Sequence, residues 1–557
     1  MILKKIFINK TKVFLHFVFL LLMQKVLFAK EHNYTNKSYL GSLLAAQIAK
    51  YNNDNIIAAD FYDFANKKNP KNTEILNMSL MSFILAGKVD LALDKLNNKE
   101  YLEGLKTSQV NQILKFVSLI KKSKFRDAKN LFKKNEDILL TGKLKYIMLA
   151  WLADDYEEAK QIINEYPYKT PELNLSSIYF YHLAYLNSFY NNKKDSLKIF
   201  KDSLENIQDS KIRGFYFYYN FINKFKYIDN KIINNFTTNN PNHSLNIYIN
   251  KNIFEGFSLE KRVDGISEIF FNIAENLYSQ GMHDSSIAYS YLSLFLNKNN
   301  YINYYLIAQN YQILGKNSKA IEALKYIPLD NYLGWNTYIK LVDLYMSVGD
   351  YNNAEQYIKS LQKFGPKRTD FYYKSGEFFH NKKEYIKAIT NFSNAISLLN
   401  KPEKKDWYLF YSRGMAYERS KNWNKAEKDF LYALKLFPDQ PLVLNYLGYS
   451  WIDFKKNLKE AERLILKAVK LRPNDGYFID SLGWTYYRKG NYKKAVESLE
   501  KAVSLVPSDP IINDHLGDAL WKAGYKNEAI FQWNRALLYS PDNELKKTIK
   551  LKLQKGL

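Results

Sequence analysis

The sequence predicts an all-α solenoid, built by stacking helix–turn–helix units instead of enclosing one globular core. Three observations predict it. The C-terminal half repeats one template every 34 residues. Apolar residues recur at i, i+4 spacing inside each unit, which is the spacing of one helix face. Gly and Pro fall at fixed places between the apolar runs, where helices turn and stop.

The chain opens with Lys4, Lys5, Lys10 and Lys12, then an apolar run over 13–23 and a short tail ending at Ala29. A positive n-region, an apolar core of this length and a small residue at the end are the parts of a signal peptide. Residues 1–29 are therefore expected to direct export. The run is short for a spanning helix. Cleavage after Ala29 and retention as an uncleaved anchor are both open.

Residues 39–204 show the template in eroded form and are expected to form four to five degenerate helical units. Ala46, Ala58, Tyr62, Ala65 and Pro70 mark the first, and Phe83, Gly87, Ala92 and Leu96 the second. Further units centre on Phe125/Ala128/Phe132, Tyr156/Ala159/Ile163 and Ala184/Phe200. Residues 205–266 lose the register. They are rich in Asn, Lys, Ile and Tyr, and NNFTTNNPNH reads as a loop, so this is a divergent helical or linker segment.

Residues 267–541 carry eight clear repeats. Leu482-Gly483, Tyr486, Gly490, Tyr492, Ala495, Leu499, Ala502 and Pro507 reappear 34 residues on as Leu516-Gly517, Gly524, Tyr525, Ala529, Trp533, Ala536 and Pro541. This order resembles the tetratricopeptide repeat (TPR), whose stacked units form a right-handed superhelix. Gly483 and Ala495 are expected where two helices of one unit cross closely, with Leu482, Tyr486 and Leu499 filling between them. Gly490 suits a left-handed turn, and Pro507 discourages continuation of the second helix. The remaining segment, 542–557, reads as a basic amphipathic capping helix with Leu545, Ile549 and Leu553 inward.

Composition removes several function classes. With no Cys in 557 residues there is no disulfide, Cys-ligated zinc, thiol nucleophile or lipidated cysteine. The net charge of +25 comes mostly from Lys, with only ten Arg among 81 basic residues, and accompanies heavy Asn, Ile, Tyr and Phe usage. Those residues share A/T-rich codons. Nucleic-acid readers use Arg for bidentate contacts, so no nucleic-acid partner is expected. A weak contact with anionic lipid or cell-wall polymer is compatible with the charge. The seven His are scattered, and Asp514-His515-Asp518 is the one His/carboxylate cluster; it lacks an apparent third convergent ligand. There is no phosphate-cradling glycine loop, G-x-S-x-G or H-E-x-x-H. No catalytic activity, small-molecule substrate, cofactor or metal is expected.

The resemblance implies more. In tetratricopeptide units the first helix lines a concave groove, through positions two, five, nine, twelve and thirteen. Here those positions carry Asn445, Tyr449 and Asp453; Tyr477, Asp480, Trp484, Tyr487 and Arg488; then Asp514, Asp518, Trp521 and Lys522. The candidate protein-binding groove is Tyr449, Asp480, Trp484, Tyr487, Arg488, Asp514, Asp518 and Trp521, with aromatic anchors beside carboxylates. Asp480 and Asp514 are expected to repel a terminal carboxylate and favour basic partners. The stretches 445–503 and 512–537, with GSLLAAQIAKYNNDNIIAADFYDFA and DGISEIFFNIAENL, resemble a group of exported proteobacterial TPR proteins. The better-understood relatives are outer-membrane lipoproteins that bind a periplasmic C-terminal-processing (tail-specific) protease and bring cell-wall hydrolases to it. Without Cys, the lipid anchor does not carry over. What the resemblance implies is a periplasmic protein–protein scaffold or adaptor, with an envelope protein as partner. The alternative is a component of envelope assembly, in polysaccharide export or outer-membrane biogenesis.

Overall fold

Small residues at regular intervals let two helices approach, and bulky ones opposite fill the remaining space. The computed structural model forms such pairs throughout. It describes residues 38–557 apart from 53, 70–71, 97–107, 136–143, 165–172, 191, 207–211, 228–229, 241–242, 252–256 and 366. The segment 1–29 lies outside the described residues. All regular structure among them is helical, with 30 α-helices and no strand. The chain is an all-α TPR solenoid.

Eight consecutive helix pairs follow the 34-residue register, from Arg262–Ser279 with His283–Leu296 to Pro510–Ala523 with Lys526–Leu538. The crossings have the expected cause. A Cβ built on Gly483 would stand 2.5 Å from Leu499 Cγ, and one on Gly517 2.5 Å from the Trp533 ring. Ala495, Leu499 and Ala502 are fully buried, whereas Leu482 is only partly so. The turn inside each pair needs a left-handed residue. Gly349, Gly490 and Gly524 supply it at φ +77°, +79° and +96°, while Lys383, Lys421 and Lys455 are held there at +62°, +63° and +54°. The final helix, Asn543–Lys555, buries Ile549 against the last pair, with Leu545 and Leu553 beside it.

Six further pairs precede Arg262, from Tyr39–Tyr51 with Asn55–Lys68 to Ile212–Lys224 with Asn230–Asn239. Ala46, Ala58, Ala65, Ala92, Ala128 and Ala184 are fully buried at their crossings. The sixth pair corrects the loop reading of NNFTTNNPNH, because 234–239 are the end of a helix. Ile232 and Phe236, at i, i+4, are buried, and Phe236 stacks on Phe215 at 3.7 Å. That apolar face outweighs the poor helix propensity of Asn and Thr.

The chain condenses into two compact units that do not follow the repeat boundaries. One comprises Met1–Asn239 and Ile253–Asn331, the other Asn240–Asn252 and Tyr332–Leu557. In the first, a buried polar network ties together helices far apart in sequence. Arg213 donates to Glu268 through Nε at 2.9 Å, and its Nη2 reaches Asn300 at 3.1 Å. Glu268, fully buried, also accepts from Tyr181 and Asn300. The Trp151 indole donates to His182 Nδ1 at 3.0 Å. An indole N–H can only donate, so His182 is neutral with its proton on Nε2. Its pKa falls to about 3, through burial first and the Arg213 charge second.

In the second unit, helix Leu245–Lys251 seats against Gly334–Ser347 and Tyr351–Phe364. The Tyr248 hydroxyl accepts from the Trp335 backbone N–H at 2.8 Å, and the Tyr248 ring lies 5.7 Å from Phe364. Among the described residues no helix is long and apolar enough to cross a membrane.

Candidate functional site

In the second unit the first helices of successive pairs touch one another and form a row. The helices Pro441–Asp453, Gly476–Arg488 and Pro510–Ala523 are consecutive members of it. Each begins with a satisfied cap: Gln440, Asp475 and Asp509 accept from backbone N–H groups of the first turn. This fixed start puts equivalent positions of successive helices at equivalent places on the row.

All eight residues expected at the groove lie on these three helices, but their exposure differs. Trp484 stacks on Tyr487 at 4.7 Å and on His515 at 4.1 Å, with interplanar angles of 14° and 17°. Its Nε1 is buried without a hydrogen-bond partner. Arg488 donates to Asp453 at 3.0 Å and lies 6.0 Å over the Trp484 ring. Tyr449, Tyr487, Arg488 and Trp521 are half-buried. Burial raises the hydroxyl pKa of Tyr449, and that of Tyr487 to about 12, so both stay neutral donors.

The aspartates are buried, which corrects the selective role expected of them. Asp480 accepts from His515 Nδ1 at 2.9 Å. Burial works against the charged imidazole, but Asp480 and, further off, Asp514 and Asp518 outweigh it and raise the His515 pKa. Asp514 and Asp518 both accept from Lys552 of the terminal helix at 2.8 Å, and Asp518 also accepts from the Trp533 indole at 3.0 Å. None presents a free carboxylate to a partner. They are interior ion-pair and hydrogen-bond groups that join one repeat to the next. Among the described residues no group of three or more His, Asp or Glu side chains is placed to hold a metal ion.

At the start of each of these helices the row exposes an apolar side chain. Leu442, Tyr477 and Ile511, each the second residue of its helix, are 36%, 56% and 50% exposed. Tyr477 is among the groove positions expected from sequence; Leu442 and Ile511 are not. The available signal is the recurrence of a large apolar side chain at 35- and then 34-residue spacing, two places after a helix cap. Further along the same row, Tyr373 packs edge-on to Tyr408 at 4.7 Å and Tyr411 to Tyr446 at 5.7 Å. The Tyr446 hydroxyl donates to Glu418 at 3.2 Å.

Stacked helix pairs of this kind define a class of helical-repeat scaffolds. Residues 407–440 match a family model described as Tetratricopeptide repeat, and residues 483–524 one described as TPR repeat. These two segments carry tetratricopeptide repeats. Among solved structures it is similar to the Cut9–Hcn1 hetero-tetramer of APC/C, at 15% identity over 94% of this chain and 97% of that one, with a TM-score of 0.39. A tetratricopeptide repeat protein from Parabacteroides merdae is similar at 18% identity over 45% and 98%, with a TM-score of 0.37. Yeast Tom70 is similar at 15% identity over 81% and 96%, with a TM-score of 0.36. No curated protein matches the chain in sequence.

Proposed function

We propose that the chain is a non-enzymatic scaffold that holds a segment of a partner protein along the first-helix row of its second unit. The carrying observation is the exposed line Leu442, Tyr477 and Ile511 beside the half-buried Tyr449, Tyr487 and Trp521. Apolar anchors repeated at one helix position suit a segment that crosses several repeats, and partly exposed aromatics supply desolvation energy. Asp453 is held by Arg488 and Glu418 by Tyr446, while Lys522 stands exposed, so shape and apolar contact carry most of the affinity.

The finer reading is an exported adaptor of the cell envelope, directed out by residues 1–29. Its proposed partner is a periplasmic C-terminal-processing protease with cell-wall hydrolase substrates. What supports it is the signal-like N-terminus and the resemblance of 445–503 and 512–537. The test uses a photo-crosslinking side chain at Tyr477, with a control at Leu431 on the second helix Trp423–Leu436. A purified protease of that class, with a hydrolase, should crosslink from Tyr477 and not from Leu431. Equal crosslinking from both positions overturns the assignment of the row. No crosslinking from either removes the protease from the reading. An export reporter fused after residue 40 should lose activity when two Asp interrupt 13–23.

A further inference from the structure

The first unit contains a cleft of about 520 Å³, lined by none of the residues of the row. One wall is the start of Asn55–Lys68 and the turn that follows Thr73–Leu85; the other is formed by the helices His283–Leu296, Ile302–Ile313 and Asn317–Leu324. The walls are held in place. Asn55 donates to the Leu85 carbonyl, and a Cβ on Gly87 would stand 2.8 Å from the Tyr291 ring, so the turn lies directly on that ring.

Four tyrosines line the space. Tyr311, 4% exposed, and the half-buried Tyr291 line its inner part. Burial pushes the Tyr311 hydroxyl up to about 12 and that of Tyr291 upward as well, so both remain neutral. Nearer the mouth Tyr304 and Tyr326 stack at 4.7 Å and 14°, with Tyr326 63% exposed. Charges of both signs surround the rings: Lys88, Lys319 and Lys325 against Asp54 and Glu322. Lys319 and Glu322 are 3.3 Å apart.

This lining discriminates among ligands. A purely apolar molecule would leave the charged groups poorly hydrated. A polyanion would meet two carboxylates beside the three lysines, and the lining contains no Arg fork to grip it bidentately. A polyhydroxylated ring fits: its flat C–H face stacks on tyrosine, and its hydroxyls both donate and accept. The cleft is also of the size that encloses a small ligand.

We propose that this cleft binds a short, neutral saccharide. The site is independent of the partner-binding row. The test is saturation-transfer NMR on the full chain with maltotriose, cellotriose and triacetylchitotriose, and with a capped tetrapeptide mixture as competitor. At least one trisaccharide should receive saturation, and Tyr326→Ala should weaken it about tenfold, as should Lys88→Ala together with Asp54→Ala. Tyr326 is largely exposed, and an unchanged melting curve will show that its variant folds. Trp484→Ala, in the other unit, should leave saccharide binding intact. Absence of saturation on all three sugars overturns the proposal. So does binding that survives both sets of variants, or displacement of every sugar by the tetrapeptides, which would make the cleft a peptide site.

Discussion

Lys421 sits at φ +63° in the turn between its two helices, where Gly490 and Gly524 stand in later repeats. A side chain in that conformation costs about 1–2 kcal/mol, part of which glycine returns as unfolded-chain entropy. Lys421→Gly should therefore stabilise the second unit by about 0.5–1 kcal/mol, read as a raised midpoint in urea. Trp484 gives the opposite lesson. Its ring is committed to Tyr487 and His515, so its truncation tests packing as much as binding, and Tyr477 is the cleaner probe of a partner. Crossing residues such as Gly483 and Ala495 are legible in sequence because only small side chains permit the approach. The burial of Asp480, Asp514 and Asp518 is not legible. A carboxylate at an inner position reads the same whether its neighbour is water or a lysine 34 to 38 residues further on.

At the scale of the helix, each pair is defended by its crossing. Gly483→Leu drives a side chain into Leu499 and should cost roughly 1–3 kcal/mol or more. Because repeats couple to neighbours, faster hydrogen exchange should appear first in Pro441–Leu471 and Pro510–Leu538. A uniform rise along the chain would contradict this. The terminal helix is held by charge as well as by Ile549. Lys552→Met leaves Asp514 and Asp518 buried together without a cation, at a cost of about 3–5 kcal/mol. Burial first, and Asp514 second, already raise the Asp518 pKa. A group whose folded pKa is raised is favoured by protonation, so this variant should recover stability as the pH falls. Loss of stability independent of pH would show that the lysine acts through packing alone. The helical pairs of 39–204 are readable because alanine marks their crossings. The second helix of the pair at 212–239 is obscured by Asn and Thr, which mask an apolar face built on Ile232 and Phe236.

For the whole chain, the two units respond differently to acid. His182 in the first unit has its folded pKa depressed to about 3, against an unfolded value near 6.5. The unfolded chain therefore takes up a proton that the folded unit refuses, and stability falls as the pH drops below about 6.5. By pH 5 the loss is about 2 kcal/mol. Asp264, raised by burial, opposes this at lower pH. In the second unit His243 and His380 shift down, whereas His515 shifts up, so their contributions oppose one another. Two thermal transitions are expected at pH 7, with the first unit's moving down on acidification and largely ceasing to move in His182→Gln. A single transition that shifts as a whole would contradict independent units.

The route of the chain also sets an order of events in time. Helix Leu245–Lys251 leaves the ribosome before the last helices of the first unit, yet its partners Trp335 and Phe364 belong to the second. At roughly 5–20 residues per second it waits on the order of ten seconds for them. During that interval the apolar face of this helix, Leu245, Ile247 and Tyr248, lacks its partners in the second unit. A nascent chain thus carries its own timed vulnerability to proteases and chaperones, located around Leu245–Lys251 and relieved only when residue 364 has emerged.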